Sequence, residues 1–518
     1  MPNSDCAKHV SVFTLSVRCL SITERIIQGL TVMEPLSGLK SKTVRNISYI
    51  GAAQVAVLVL TLAMVAVLTR LLTPEDFGIV SIGFVFMVLF ITIQDFGIAP
   101  AVIQRDTRVE DSVSVGLTLR WLIAGLAFIL IAVISPTVAR IYDNDALVPV
   151  LIVMSITLFI QPFGFSAYVM LNKRLEFSSI AISTIAQHAT TAILAIVLAI
   201  AGLSYWSIVF GSLFGNVSNV VVLNYYGKAF RKPAIDIGLA KELFGFGSHI
   251  LVASLMWFVV FNVDQLVIGK VLGLVALGVY FVAVRFGRTW ADQMSQAVNT
   301  VLFPTMATIK DSLDRLKTGY IQSLRMIAII AVLLCVGLAS LAPILVSTVL
   351  GPDFVGVVLP ISILSFQGLF NALITPAGNT VVAIGRPKYM SIQAIARAVL
   401  MVVFVYPAAY MFHVEGVCYL TTLLSIGVFA YFAVVLSRVF KTTVTEILAP
   451  LAAPFLSGFV TFVLLEAGSS YLPASLLSLF VLAALGTAAS GVSLHLFSRG
   501  RDLRDFFSLL RVLFLKQT

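Results

Sequence analysis

The sequence predicts an all-α integral membrane protein with about 14 transmembrane helices, built from two parallel six-helix repeats and two extra carboxyl-terminal helices. Three observations support this fold class. Hydrophobic residues make up 59% of the 518 residues and charged residues 11%, with a mean hydropathy of +1.03, whereas soluble domains are about one quarter charged. Apolar runs of membrane length recur along the chain, and its two halves align with each other.

Fourteen apolar segments are long enough to cross a bilayer. A hydrocarbon core about 30 Å thick requires roughly 20 helical residues at about 1.5 Å per residue. By this measure the spans begin near residues 46, 77, 115, 146, 178, 203, 243, 272, 321, 356, 389, 415, 447 and 473. An even number of spans places both termini on the same side of the membrane.

The basic residues predict which side this is. Twenty-four lysines and arginines lie in segments on the side of the amino terminus, whereas the opposite loops contain three, Arg70, Arg140 and Lys270. Because positive residues accumulate in cytoplasmic segments, both termini are expected in the cytoplasm. The net charge of +10 has the same explanation, so no nucleic-acid partner is expected.

Six segments are expected along the chain. Residues 1–42 lack the features of a signal peptide; either they form a cytoplasmic amino-terminal segment or translation begins at Met33. Next come the first six-helix lobe, a cytoplasmic linker, the second lobe, helices 13 and 14, and a basic cytoplasmic tail, at residues 43–227, 228–242, 243–440, 441–497 and 498–518.

A polar segment, TPEDFG at residues 73–78, separates the first two spans. It is predicted to form an external turn in which Pro74 begins the second helix and Glu75 and Asp76 lie at the positive end of that helix. The aligned segment GLVALG, at residues 273–278, keeps the final glycine and no charge.

The two lobes are predicted to be repeats because the sequence aligns with itself. The shift between matching residues grows along the chain, from 200 to about 213, as small loop insertions would produce. The matches are residues 70–78 with 270–278, 119–120 with 324–325, Pro136 with Pro343, 162–164 with 376–378, and 177–180 with 389–392. Repeats with an even number of spans would be related by an axis along the membrane normal, with a cavity between them. Chance alignment of apolar segments is the alternative, which the proline and glycine pairs oppose because these residues mark kinks in membrane helices.

Transport is the function class that the sequence favours, because it shows none of the features of an enzyme that we looked for. No loop is long enough to fold as a catalytic domain, and no G-x-x-x-x-G-K-[ST] phosphate loop occurs. The four cysteines and five histidines are dispersed, which predicts neither a disulfide framework nor a metal site. We therefore expect a transporter without a cofactor, rather than an enzyme.

Charges in the eighth predicted span indicate the transport site. Arg285, Arg288 and Asp292 have the spacing i, i+3, i+7, which would place them on one helix face. Because a charge near the bilayer centre costs roughly 2.5 to 3.5 kcal/mol, this face should point into the bundle. A cationic patch there suits a phosphate-bearing or acidic substrate, since guanidinium groups bind phosphate through paired hydrogen bonds. A purely structural ion network is the alternative.

Other intramembrane charges are weaker candidates. Arg397, in the eleventh predicted span, either joins the cationic patch or extends to the cytoplasmic surface. Asp264, near the external end of the seventh span, is the candidate carboxylate for ion coupling, with a salt bridge to Lys270 as the structural alternative. Arg120 is expected at the lipid headgroups and Asp95 at the membrane interface as a helix cap.

Several stretches resemble one family of transporters. They are RLLTPEDFGIVSIG, DFGIAPAVIQR, NKRLEF, NVDQLVIGKVLGLVALGVY, LFPTMATIKD and AIGRPKYM, between about residues 40 and 440. Together they resemble the polysaccharide transporter family, and within it the bacterial flippases of lipid-linked oligosaccharides of the colanic acid and exopolysaccharide type. This family belongs to the multidrug/oligosaccharidyl-lipid/polysaccharide exporter superfamily. Phe281 and Val282 follow the tyrosine of LGVY, where the family leads us to expect an arginine.

The resemblance implies a two-lobed bundle of the bacterial inner membrane that moves undecaprenyl-diphosphate-linked repeat units to the periplasmic leaflet. Alternating access driven by an ion gradient is expected, in the service of exopolysaccharide, capsule or lipopolysaccharide biosynthesis. Implied partners are the lipid-linked oligosaccharide, membrane lipid, and a polysaccharide polymerase and co-polymerase. Two alternatives remain: a drug or cation extruder of the same superfamily, and a membrane polymerase or ligase of the same pathway.

Overall fold

A computed structural model describes residues 37–295, 306, 312–473 and 475–498. Residues 1–36, with the alternative start at Met33, and the basic tail from residue 499 onward lie outside this description, as does most of LFPTMATIKD. The chain forms two compact units, residues 1–48 and 49–518. Residues 37–48, the described part of the first unit, are helical, and the second unit contains the spans discussed below.

Every regular element among the described residues is a helix. The α-helices are α1 (Ser37–Leu68), α2 (Pro74–Asp95), α3 (Ile98–Gln104), α4 (Val109–Ile141), α5 (Leu147–Ser155), α6 (Thr157–Lys173), α7 (Phe177–Ile200), α8 (Trp206–Gly227), α9 (Ile237–Val271), α10 (Leu274–Gly287), α11 (Thr289–Ser295), α12 (Leu313–Leu345), α13 (Val358–Ala383), α14 (Lys388–Val439), α15 (Val444–Leu448), α16 (Ala452–Tyr471) and α17 (Leu476–Ser498). A π-helical segment and two 3-10 segments extend or join them, at Val346–Leu350, Pro352–Val357 and Ala449–Leu451.

The number of spans agrees with the sequence prediction. Twelve helices within the described ranges are long and apolar enough to cross a membrane, and the bent pair of α10 and α11 makes thirteen. The 52 residues of α14 leave helical geometry at Phe412 and His413. A Cβ atom on Gly416 would lie 2.3 Å from the carbonyl oxygen of Ala408, although eight residues of straight helix extend about 12 Å. The chain therefore reverses within α14, which supplies two spans and brings the total to fourteen.

The prediction that Pro74 begins the second helix, with Glu75 and Asp76 at its positive end, is confirmed, although residues 74–78 are helical and the turn itself precedes them. Pro74 is the first residue of α2, and the Thr73 side chain accepts a hydrogen bond from the backbone N–H of Asp76. The carboxylate of Asp76 in turn accepts from the Thr73 N–H at 2.9 Å, which completes a capping box. Ser204 also donates a hydrogen bond to Asp76, so the turn is linked to the loop before α8.

The central contact between the predicted lobes is the crossing of α2 and α10. A Cβ atom on Gly78 would lie 2.0 Å from the carbonyl oxygen of Leu274, and one on Gly278 would lie 1.7 Å from that of Pro74. These four residues form two pairs that are 200 positions apart. Such a reciprocal contact is the one expected between parallel repeats related by an axis through the crossing.

The segment between the predicted lobes differs slightly from its expected bounds. Helix α9 begins at Ile237, within the predicted linker 228–242. The non-helical part is fixed to α4, since the Ala234 N–H donates to Ser114 O at 3.3 Å and the Thr118 hydroxyl donates to Ala234 O at 2.7 Å. The non-helical residues 228–236 are therefore held against α4 of the first predicted lobe, and we call them the linker strap.

Candidate functional site

One aromatic ring, Phe261 on α9, contacts two buried arginines. The guanidinium carbon of Arg288 is 5.2 Å from the ring centroid, and that of Arg397 is 5.6 Å from it. Both arginines are less than one tenth exposed. Cations within about 6 Å of an aromatic face are attracted by the quadrupole of the ring. Phe261 thus stabilises two positive charges from different helices, and we call these three residues the Phe261 cluster.

Arg288 keeps part of its hydrogen-bonding capacity unused. Its Nε atom lies 3.6 Å from Oδ2 of Asp292, which is an ion-pair distance but not a hydrogen bond. The buried Nε has no hydrogen-bond partner among the described residues. An unsatisfied buried donor on a charged group costs free energy, so this Nε atom lacks the acceptor that would satisfy it.

The helix that carries these charges is broken, which corrects the expectation of one continuous face. α10 ends at Gly287, and α11 starts at Thr289 with a bend of 40°. The indole Nε1 of Trp290 donates to Gly287 O at 2.6 Å, and the Ala291 N–H binds Arg288 O instead. Because a side chain takes the carbonyl that would continue the helix, the axis changes direction between Arg285 and Asp292.

Arg285 lies one turn earlier, near a different ring. Its guanidinium carbon is 4.8 Å from the centroid of Phe281, and its side chain is half-buried. It forms no ion pair with any carboxylate in the described part of the chain. The structure therefore places Arg285 on α10, before the break at Arg288, where it contacts a different aromatic ring.

Arg397 does not extend to the cytoplasmic surface. Its Nη2 donates to the Ser425 hydroxyl at 3.0 Å, and its Nη1 donates to Oδ1 of Asn371 at 3.5 Å. These partners lie on the second half of α14 and on α13. The side chain is therefore held in the interior by both neighbouring spans and by Phe261.

Asp264 is a buried carboxylate bound to neutral donors. Only 1% of the residue is exposed, and its Oδ2 accepts a hydrogen bond from the Tyr280 hydroxyl at 2.5 Å. The neighbouring Gln265 accepts from the Ser81 hydroxyl of α2 at 2.8 Å. The alternative of a salt bridge between Asp264 and Lys270 is wrong, because the Lys270 ammonium binds Ile141 O at 2.6 Å.

The expectation for Arg120 is also corrected. The residue is 7% exposed, its Nη1 lies 2.6 Å from Oδ1 of Asp95, and its guanidinium lies over Phe165. Asp95 is the last residue of α2 and acts as a partner in an ion pair rather than as a helix cap. A charge pair within the first predicted lobe explains both residues without a substrate.

Sequence reasoning missed the groups that organise the site. Phe261, Tyr280, Asn371 and Ser425 carry no signal that separates them from neighbouring apolar or small polar residues. The one available hint was that Phe261 directly precedes the polar segment NVDQ. Their roles depend on contacts between helices that are distant in sequence.

The sequence of this chain is similar to those of proteins named for polysaccharide biosynthesis. Residues 67–359 match the family described as "Polysaccharide biosynthesis protein". The chain is 25% identical over 358 residues to the lipopolysaccharide biosynthesis protein WzxC of Escherichia coli (strain K12), which covers 67% of this chain and 71% of WzxC. It is 27% identical over 302 residues to the teichuronic acid biosynthesis protein TuaB of Bacillus subtilis (strain 168), covering 56% of this chain and 61% of TuaB.

Solved transporter structures share the fold. The lipid II flippase MurJ in an inward closed conformation aligns with a TM-score of 0.69 at 16% identity, over 87% of this chain and 98% of that one. An inward-facing multidrug resistance transporter of the MATE family aligns with a TM-score of 0.55 at 15% identity, over 75% and 96%. The predicted all-α, multi-pass transporter fold is therefore confirmed.

Proposed function

The chain belongs to the polysaccharide biosynthesis protein family, and from this we propose that it is a flippase for an undecaprenyl-diphosphate-linked oligosaccharide in the bacterial inner membrane. Two relatives are named for the biosynthesis of lipopolysaccharide and of teichuronic acid. A flippase for lipid II shares the fold. The proposed substrate has a polyprenyl tail that stays in lipid and a polar head that cannot cross hydrocarbon unaided.

The observation that carries the proposal is the unused cationic capacity at the Phe261 cluster. Three arginines, Arg285, Arg288 and Arg397, lie in the second predicted lobe, and the carboxylate that ion-pairs with one of them is Asp292. The cluster itself contains a buried Nε without a hydrogen-bond partner among the described residues. A diphosphate supplies both the negative charge and the acceptors that this arrangement lacks.

The same arrangement disfavours the extruder alternative. A pocket for cationic drugs requires more carboxylates than basic side chains. In a medium of low dielectric constant, a cationic drug and a guanidinium group would repel each other strongly. Arginine outnumbers carboxylate here, and Asp264 is engaged by Tyr280. We assign to Asp264 the role of ion coupling, because a buried carboxylate held by a neutral hydroxyl can take up a proton or a cation at a modest cost.

The test is the double variant Arg285→Ala/Arg288→Ala in cells that lack the native gene. The exported polysaccharide should fall roughly tenfold or more, since charged hydrogen bonds are worth about 1.5–3 kcal/mol each. Lipid-linked repeat units should accumulate on the cytoplasmic leaflet, measured by mass spectrometry of extracted lipid and by a membrane-impermeant sugar probe. The matched control is Arg386→Ala, at an exposed arginine between α13 and α14. Normal export from a stably inserted double variant would overturn the proposal.

A further inference from the structure

Arg70, just after α1, binds the end of a helix in the other predicted lobe. Its Nε donates to Val349 O at 2.8 Å, and its Nη2 donates to Thr348 O at 2.5 Å and Ser347 O at 3.4 Å. These carbonyls belong to the π-helical segment that continues α12. The last carbonyls of a helix lack intrahelical donors and carry partial negative charge, so Arg70 caps α12.

Lys270, near the end of α9, makes the reciprocal contact. Its Nζ donates to Ile141 O at 2.6 Å, and Ile141 is the last residue of α4. Asp143 Oδ2 lies 3.8 Å from the same ammonium group. A basic residue of each predicted lobe therefore caps a helix of the other lobe.

The two caps occupy equivalent positions in the sequence alignment. Arg70 and Lys270 are 200 positions apart, and Ile141 and Thr348 are 207 apart, the shift that also relates Pro136 to Pro343. The capped helices α4 and α12 each contain 33 residues. This correspondence makes an incidental surface contact a poor explanation, because two unrelated contacts would not obey the same pair of shifts.

Both caps lie beside the close crossing of α2 and α10. Three residues separate Arg70 from Pro74, and three separate Lys270 from Leu274. The Tyr142 hydroxyl adds a further bond across the same end, to Leu266 O at 3.1 Å. Sequence charge predicts that this is the external end of the bundle. At this end the two helices pack closely at their glycines. The side chains of Arg70 and Lys270 add hydrogen bonds to helix carbonyls, and water can replace these bonds.

We propose that Arg70 and Lys270 are paired positioning residues that hold this end of the two lobes closed and release together once in each transport cycle. The inference rests on the proposed function only in assuming that the lobes separate here. Both side chains are largely exposed, so water can solvate the released cation and the freed carbonyls. A buried pair would be too costly to break repeatedly. The strength of the caps then sets the fraction of molecules that are open at this end.

The test measures the distance across this end of the protein in lipid nanodiscs. Spin labels at Asp145→Cys and Val355→Cys, both exposed, report the separation by double electron–electron resonance after removal of Cys6 and Cys19. Arg70→Ala and Lys270→Ala should each raise the open fraction about two- to fivefold, the effect of one exposed charge at a helix terminus. The double variant should multiply the two effects, and Arg70→Lys should give a smaller increase.

The matched control is Arg140→Ala, which removes the same charge from the same end. Arg140 is exposed in the last turn of α4, and it is expected to leave the open fraction unchanged. Native protein should also open further as ionic strength rises, because salt screens exposed charges, whereas the double variant should respond less. An unchanged distance distribution in the double variant, or an equal effect of Arg140→Ala, would overturn the inference.

The distance measurement keeps this inference separate from the proposed function. A change in the open fraction without oligosaccharide transport would support the caps and contradict the flippase assignment. Transport that persists with no change in the open fraction would support the flippase assignment and contradict the role of the caps. Since the salt titration uses the native sequence, a variant that fails to insert does not remove the test.

Discussion

Gly78 of α2 and Gly278 of α10 lie against each other's helix, and each occupies the space next to a backbone carbonyl. Any side chain at either position would overlap the carbonyl oxygen of Leu274 or Pro74, at 2.0 and 1.7 Å. Because the obstacle is backbone, no rotamer change relieves it. We expect Gly78→Ala and Gly278→Ala each to reduce the free energy of unfolding by about 1–3 kcal/mol, measured by thermal unfolding in detergent.

A glycine elsewhere provides the control for this prediction. Gly125 lies within α4, and a Cβ atom there would have no neighbour within 4 Å. Gly125→Ala should leave the midpoint of unfolding unchanged or raise it, because alanine has the higher helix propensity. Equal tolerance of alanine at all three positions would contradict the close crossing.

Removal of the shared ring should weaken substrate binding. In Phe261→Leu the apolar volume is largely kept, but Arg288 and Arg397 lose an attraction worth about 0.5–2 kcal/mol. The affinity for a short-chain polyprenyl diphosphate should fall by up to about tenfold, measured by calorimetry in detergent. The control is Phe246→Leu on the same helix, at a residue that is 45% exposed. A loss of similar size in the control would show that general packing, rather than the ring, is responsible.

The buried carboxylate predicts two separable phenotypes. Asp264→Asn keeps a hydrogen-bond acceptor for Tyr280 but cannot bind or release a proton, so export in vesicles should no longer respond to an imposed proton or sodium gradient. The exposed Asp353→Asn should respond as the native protein does. A full response of Asp264→Asn to the gradient would remove this residue from the coupling mechanism.

Tyr280→Phe should lower the thermal stability of the protein. The substitution leaves Asp264 buried without the hydroxyl that binds it at 2.5 Å, and an unsatisfied buried acceptor costs about 1–3 kcal/mol. Thermal unfolding should therefore occur at lower temperature in this variant than in Asp264→Asn. The double variant should recover part of the loss, since the two residues interact directly.

The linker strap predicts a pH dependence at the other end of the bundle. The pKa of Asp236 is lowered by the Leu239 backbone N–H and by Arg108, whose Nη2 lies 2.8 Å from the carboxylate. A lowered carboxyl pKa contributes stability above the unfolded value of 3.8, and this contribution is lost as pH falls through the folded value. Asp236→Asn should therefore lose less stability than the native protein below about pH 4, measured as unfolding temperature against pH.

The sequence predicted the features that depend on composition and order along the chain. The number of spans follows from apolar length, and the start of α2 follows from Pro74, Glu75 and Asp76, adjacent residues that favour the first turn of a helix. The shift of 200 correctly paired Gly78 with Gly278 because glycine is unusual among apolar neighbours. Signals of this kind are local or periodic, so they can be read from the sequence without knowledge of the tertiary structure.

The rest depended on contacts between distant segments. The bend at Arg288 arises because the Trp290 indole reaches Gly287 O, which no helix propensity encodes. Two positions for Arg397 were equally consistent with its depth, and Asn371 and Ser425 decide between them. Phe261 is one of 37 phenylalanines, and its role became visible only when two guanidinium groups were found beside its ring.

The shift of 200 that pairs the two glycines also pairs Arg285 and Arg288 with Val85 and Val88. In a symmetric dimer of identical chains, every side chain occurs at two positions related by the axis. Arginines in one copy would therefore face arginines in the other. A single fused chain is free of that duplication. One half can keep the apolar residue while the other becomes cationic. In evolutionary terms, the covalent link between the predicted repeats would permit the proposed site to be asymmetric inside a symmetric framework.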